Sequence, residues 1–231
     1  MKLRLLLALA LSAGSLYADT IVVTGVDAPL GMQQSLWIDE KGTATQLYWA
    51  GGINANVDNT YVRTMWCVQL FVDISLGQTY KTTIDWADTP QLQRVAWMVQ
   101  NIAPGLSTQT QGAAFQLAVW DIIEDNGDGF AVGAGNVYQS TSTTNPTNAG
   151  VLTLASQYET QSVGHAFKYE PVYHNVTVAD GTAVQNLIGP VPYDGGPFGT
   201  APEPADAALV LSGLALIGAG WRSTRRRKQT G

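Results

Sequence analysis

Hydrophobic and polar positions repeat with two different periods along this chain, and the change of period divides it. From residue 21 to residue 84 the period is two, which predicts strands. Residues 21–26 form a β-branched run. Residues 33–39 and 43–49 read as two more strands around the turn Glu40-Lys41-Gly42, and residues 51–59 as a Gly/Asn loop. Residues 61–74 carry the strongest strand pattern. Val62, Thr64, Trp66, Val68, Leu70, Val72 and Ile74 fall on one face, and Arg63, Met65, Cys67, Gln69, Phe71 and Asp73 on the other, so Cys67 faces the more mixed side. A turn at Leu76-Gly77-Gln78 leads to a short strand over 79–84.

The period then lengthens to that of a helix. Asp88-Thr89-Pro90 is a helix start, with a capping side chain before a proline, and Leu92, Val95, Ala96, Met98, Val99 and Ile102 share a face until Pro104-Gly105. A second helix is predicted over 111–124, with Ala113, Leu117, Trp120 and Ile123 or Glu124 on one stripe and Gln116 beside it. After an Asx-rich turn at 125–129 come a strand over 130–138 and a helix capped by Asn145-Pro146 and running to about Thr160. Strands near 166–173, 175–178 and 184–188 follow. The pattern predicts one α+β domain, mostly antiparallel β-structure with an inserted helical subdomain around residues 88–124.

The two ends follow neither pattern. Lys2 and Arg4 precede an apolar run over 5–11, and Leu16-Tyr17-Ala18 is a usable cleavage site, so residues 1–18 read as a secretory signal peptide rather than an uncleaved anchor. Residues 189–200 are a Gly/Pro-rich linker. Beyond it come Pro202-Glu203-Pro204, a mostly apolar run over 207–221, and a basic end containing Arg225, Arg226 and Arg227. This three-part order resembles the PEP-CTERM sorting signal of bacterial exported proteins. The resemblance implies transient inner-membrane anchoring, removal by an exosortase-type transpeptidase, and a destination at the cell surface or in the extracellular (biofilm) matrix. A single-pass tail anchor with its basic end in the cytoplasm is the plainer alternative. Both alternatives put the body, residues 19–188, outside the cytoplasm.

Charge narrows the partners. Residues 19–200 hold five basic and sixteen acidic side chains, a formal charge of −11, which excludes nucleic acid as a partner. The one cysteine, Cys67, rules out an internal disulfide and leaves a lone thiol in an oxidising compartment.

That thiol lies in Trp66-Cys67-Val68-Gln69-Leu70, and further on stands Phe115-Gln116-Leu117-Ala118-Val119-Trp120. Together the two segments resemble the thioester domain of bacterial surface adhesins. The second is similar to that family's Thr-Gln-x-Ala-x-Trp motif, with Phe115 in place of the threonine. The resemblance covers roughly residues 60–160. It implies an internal thioester between Cys67 and Gln116, shielded by Trp66, Trp97 and Trp120. An amine or hydroxyl on a matrix polymer or neighbouring surface would be acylated once, so the chain is not an enzyme in the turnover sense and needs no cofactor. Gln69 is a second, weaker partner for Cys67. The alternative function is a non-covalent structural or carbohydrate-binding matrix protein on the same scaffold, the thioester lost.

Other chemistry is thinner. Cys67 with His165 or His174 lacks any local signature of a cysteine hydrolase. Asp125, Asn126 and Asp128 offer the clustered oxygens and glycine turn that Ca²⁺ favours, but they lack full EF-hand spacing, so a plain Asx-rich turn is the favoured reading and no metal ligand is assigned. Asn175-Val176-Thr177 matches a glycosylation sequon of little meaning in a bacterium. Asp73, Asp85 and Asp121 read as surface solvation.

Overall fold

The computed structural model describes residues 20–26, 34–40, 45–58 and 61–189. The described residues all belong to one compact unit. The expected signal peptide, the turn at Lys41-Gly42, nearly all of the expected linker and the segment that resembles a sorting signal lie outside the described residues. Among the described residues, no helix is long and apolar enough to cross a membrane.

Antiparallel pairing sorts the strands into two sheets. β1 (Thr20–Val26), β4 (Ile53–Val57), β5 (Tyr61–Cys67), β9 (Leu187–Ile188), β8 (Pro171–Thr177) and β6 (Thr79–Trp86) close into a barrel in that order. β2 (Gln34–Glu40) is the centre of a second sheet, between β3 (Gln46–Ala50) and β7 (Val137–Gln139). Among the described residues three α-helices accompany them: α1 (Pro90–Asn101), α2 (Gln109–Asp125) and α3 (Ala149–Ser162). The molecule is therefore an α+β assembly of helices with antiparallel strands. α3 packs on both α1 and α2, so the helical layer extends beyond residues 88–124.

Several expectations change here. β4 lies where a Gly/Asn loop was expected. Ile53, Ala55 and Val57 are buried in strict alternation with Asn54 and Asn56, a period of two masked by composition. The strand expected over 61–74 stops at Cys67. Beyond it Val68 donates to the carbonyl of Asn186 (3.0 Å), while the side chain of Gln69 accepts from the Asn186 N–H (2.9 Å). The strand expected over 130–138 shrinks to β7, and α3 starts later than expected, capped by Asn148.

α2 departs most from its expected form. An apolar stripe on one face was predicted, but every residue from Gly112 to Ile122 is buried. A helix buried all round is a core element. It packs on α1, α3 and strands of both sheets. Its ends are well specified. Thr108 and Gln111 form a reciprocal capping box, and Asn126 closes the helix in the left-handed conformation at φ 62°.

Candidate functional site

β5 meets α2 at the end of the barrel. β4 makes its last pairing with β5 at Ile53–Met65, so no strand continues along that edge of β5 at Cys67. On the other edge, Val68 donates to the β9 side. Strand bonding alternates from edge to edge, so the Cys67 N–H and C=O face the vacated side. The Gln116 side chain takes that place. Its Oε1 accepts from the Cys67 N–H at 2.9 Å, and its Nε2 donates to the Cys67 carbonyl at 2.7 Å. Gln116 is fully buried, so this paired contact occurs without competing water.

Neighbouring residues make the position rigid. Trp66 and Phe115, each directly before a member of the pair, have ring centroids 4.3 Å apart. Phe115 also approaches Tyr158 of α3, so the residue that stands in place of the threonine is a core side chain. Gly52 passes over this layer. A Cβ there would sit 2.6 Å from the Thr64 Cγ2 and 3.4 Å from the Trp66 ring, which requires glycine or a displacement.

Cys67 is buried, and burial pushes its thiol up to about 12, so the neutral form holds at ordinary pH. Yet the residue lines a pocket of about 430 Å³. Trp49, Leu47 and Leu76 are exposed parts of its wall, and Tyr48, Trp120 and Asp73 also contribute. Trp120 stands edge-on to Tyr48 at 6.0 Å, and its buried indole N–H has no hydrogen-bond partner.

The sequence-derived residues thus divide. Cys67, Gln116 and Trp66 come together, and Trp120 joins Cys67 at the pocket. Trp97 does not line that pocket; its ring stacks on His165 at 4.2 Å. Gln69 is engaged with Gln185 and Asn186 rather than held for Cys67. His174 sits between Asp85 (3.7 Å) and Asn186 (3.1 Å). Neither histidine lines the Cys67 pocket, so the geometry offers no thiol–imidazole dyad there.

Asp121 corrects the sequence reading outright, because it is completely buried rather than on the surface. It stands beside buried Glu159 of α3. Burial, and in Glu159 the neighbouring Asp121 charge, push both carboxyls above their ordinary range. Asp73 lies at the pocket wall and Asp85 beside His174.

A scan of protein-family models, a search of characterised proteins and a search of solved structures each return no match.

Proposed function

We propose that this chain is an exported surface or matrix protein that attaches covalently to a partner through a Cys67–Gln116 thioester. The observation that carries the reading is the buried amide-to-backbone pairing of Gln116 with Cys67, at a residue that also lines a pocket. In thioester formation the sulfur adds to the Gln116 amide carbon and the C–N bond breaks. The thiol proton leaves with the amide nitrogen as ammonia. Negative charge develops on Oε1 as the sulfur adds, and the Cys67 N–H already points at that oxygen. The helices of residues 88–124 act in this reading as the insertion that delivers Gln116 to the end of β5.

Burial serves the bond after it forms. A thioester is hydrolysed by water; Trp66 and Phe115 are buried and pack on each other directly before the two partners, and Trp120 lines the same pocket as Cys67. A partner amine entering the pocket attacks the carbonyl carbon, forms an amide with the Gln116 acyl group, and releases the Cys67 thiol. A hydroxyl would give an ester in the same way. The resemblance of residues 201–231 to a sorting signal supports delivery to the outside by an exosortase-type enzyme after transient anchoring.

One observation favours the second reading, a non-covalent carbohydrate-binding or structural matrix protein. Both polar atoms of the Gln116 amide are satisfied by the Cys67 backbone, so the pair already works as a plain structural bolt. The pocket, with Trp49 exposed on its wall and Tyr48 and Trp120 beside it, suits a sugar ring that stacks on an aromatic face. Thiol labelling separates the two readings. A Cys67 that resists alkylation after unfolding in denaturant supports the thioester, and one that is then labelled completely supports the bolt.

A further inference from the structure

The C-terminal turn of α2 and the loop after it hold Asp121, Asp125 and Asp128. One carboxylate oxygen from each lies within 4.8 Å of the others. Calcium binds oxygen at about 2.3–2.6 Å, so oxygens that close can share one ion. An acidic cluster alone is common on protein surfaces, and these three side chains do not settle the matter. What distinguishes this cluster is its buried side.

Asp121 is fully buried; its Oδ2 accepts from the Gly129 N–H (3.2 Å) and its Oδ1 has no hydrogen-bond donor. Glu159, on a different helix and 5 % exposed, sets its carboxyl against that of Asp121, and its Oε1 also has no donor. Two buried carboxyls side by side, each with an oxygen that lacks a donor from the surrounding protein, are costly unless a proton or a cation lies between them. Arg94 is near but committed. Its Nε donates to Ser162 Oγ (2.8 Å), and its two terminal nitrogens donate to the carbonyls of Asn126 (2.6 Å) and Glu159 (2.9 Å). Four carboxylates against one guanidinium leave a net charge of −3 when all are ionised.

Asp125 is already fixed in place. Its Oδ2 accepts from the N–H groups of Asn136 and Val137, both at 2.8 Å, and its Oδ1 from the Asn136 side chain at 2.7 Å. Its Oδ2 lone pairs are both taken by those two N–H groups, and Oδ1, which accepts once, keeps capacity for an ion. Asp128 is exposed and closes the cluster on the solvent side.

We propose that Asp121, Asp125 and Asp128, backed on the buried side by the carboxyl of Glu159, bind a hard divalent cation, Ca²⁺ in preference to Mg²⁺, which ties the end of α2 to the loop before β7 and steadies its packing on α3. The donors are all oxygens from an irregular, partly solvated set. That suits the variable coordination of Ca²⁺ better than the strict octahedron of Mg²⁺. The site is independent of the thioester. A proton shared between Asp121 and Glu159 is the competing occupant.

The test is calorimetric titration of CaCl₂ into the chelator-stripped full chain, with thermal unfolding measured in chelator and in calcium. The expected result is saturable binding and a Tm several degrees higher in calcium, as for any ligand selective for the folded state. Asp128→Asn alters only the exposed ligand and should weaken Ca²⁺ binding at least tenfold. Glu159→Gln, which supplies Asp121 with a donor, should abolish the calcium shift while raising Tm in chelator. No heat and no shift in the wild-type chain up to about 10 mM Ca²⁺, far above ordinary extracellular affinities, would overturn the proposal in favour of the proton. A calcium shift that survives undiminished in both variants would also overturn it, by placing the ion elsewhere.

Discussion

Two buried polar sites lie on α2, five residues apart and about 140° around the helix. At the first, Gln116, both amide atoms have partners at hydrogen-bond distance. At the second, Asp121, one oxygen has a partner and the other meets a second carboxyl that is also unsatisfied. The same helix, buried to the same degree, thus carries one closed polar site and one open one. A closed site in an apolar surround is fixed in geometry, which suits either a structural bolt or a reaction between two prepositioned groups. An open one stores an electrostatic cost that a ligand or proton relieves. The contrast predicts opposite signs for removing the polar group at each.

The largest loss on substitution belongs to the closed site. Gln116→Ala deletes two buried hydrogen bonds and leaves the Cys67 N–H and C=O unsatisfied, so it should lose about 3–5 kcal/mol in urea unfolding. A loss below about 1 kcal/mol would mean that water or another group replaces the amide, and the contrast would fail.

A third buried carboxyl, Glu170, sharpens the electrostatic half. Burial pushes it to about 8 despite the hydrogen bond from Gln100. The folded state therefore holds this proton where the unfolded state, with its value near 4.5, has released it. Stability from this group is fully present below pH 4.5 and falls as pH rises towards about 8. The fall should be on the order of 5 kcal/mol, and Glu170→Gln should flatten that limb of the stability–pH curve. An unchanged limb would contradict the assignment.

At the open site the sign reverses. In chelator, Glu159→Gln should gain about 1–2 kcal/mol, because an amide donor replaces one of two opposed carboxyls. A loss there would erase the distinction between the two sites. The smallest effect is expected at the start of α2, where Thr108→Ala removes the capping-box hydroxyl and should cost about 1 kcal/mol by thermal unfolding, without altering the Cys67 environment.

Local signals carried the parts of this fold that local rules govern. Thr89-Pro90 and Thr108 with Gln111 mark helix starts because a capping side chain satisfies backbone donors within four residues. β4 was illegible because its Asn-rich, Gly-flanked composition outweighed the alternation of Ile53, Ala55 and Val57. β5 was read too long because Val68, Leu70, Val72 and Ile74 continue the alternation; Leu70, Val72 and Ile74 line the pocket instead. The pairing of Cys67 with Gln116 spans 49 residues, and no local pattern reports such a contact; only the motif resemblance pointed to it. Asp121 and Glu159 were missed for the same reason. Their partnership exists only once α3 packs on α2.

The intact mass of the purified chain, native and after treatment with a small primary amine, tests the central claim most directly. The account predicts a native mass one ammonia below that calculated for the reduced polypeptide, a deficit absent in Cys67→Ala and Gln116→Ala, and gain of one amine on treatment. A native mass equal to the calculated value, with Cys67 alkylated stoichiometrically once unfolded, would contradict it and leave the Gln116–Cys67 pair as a structural bolt beside a binding pocket.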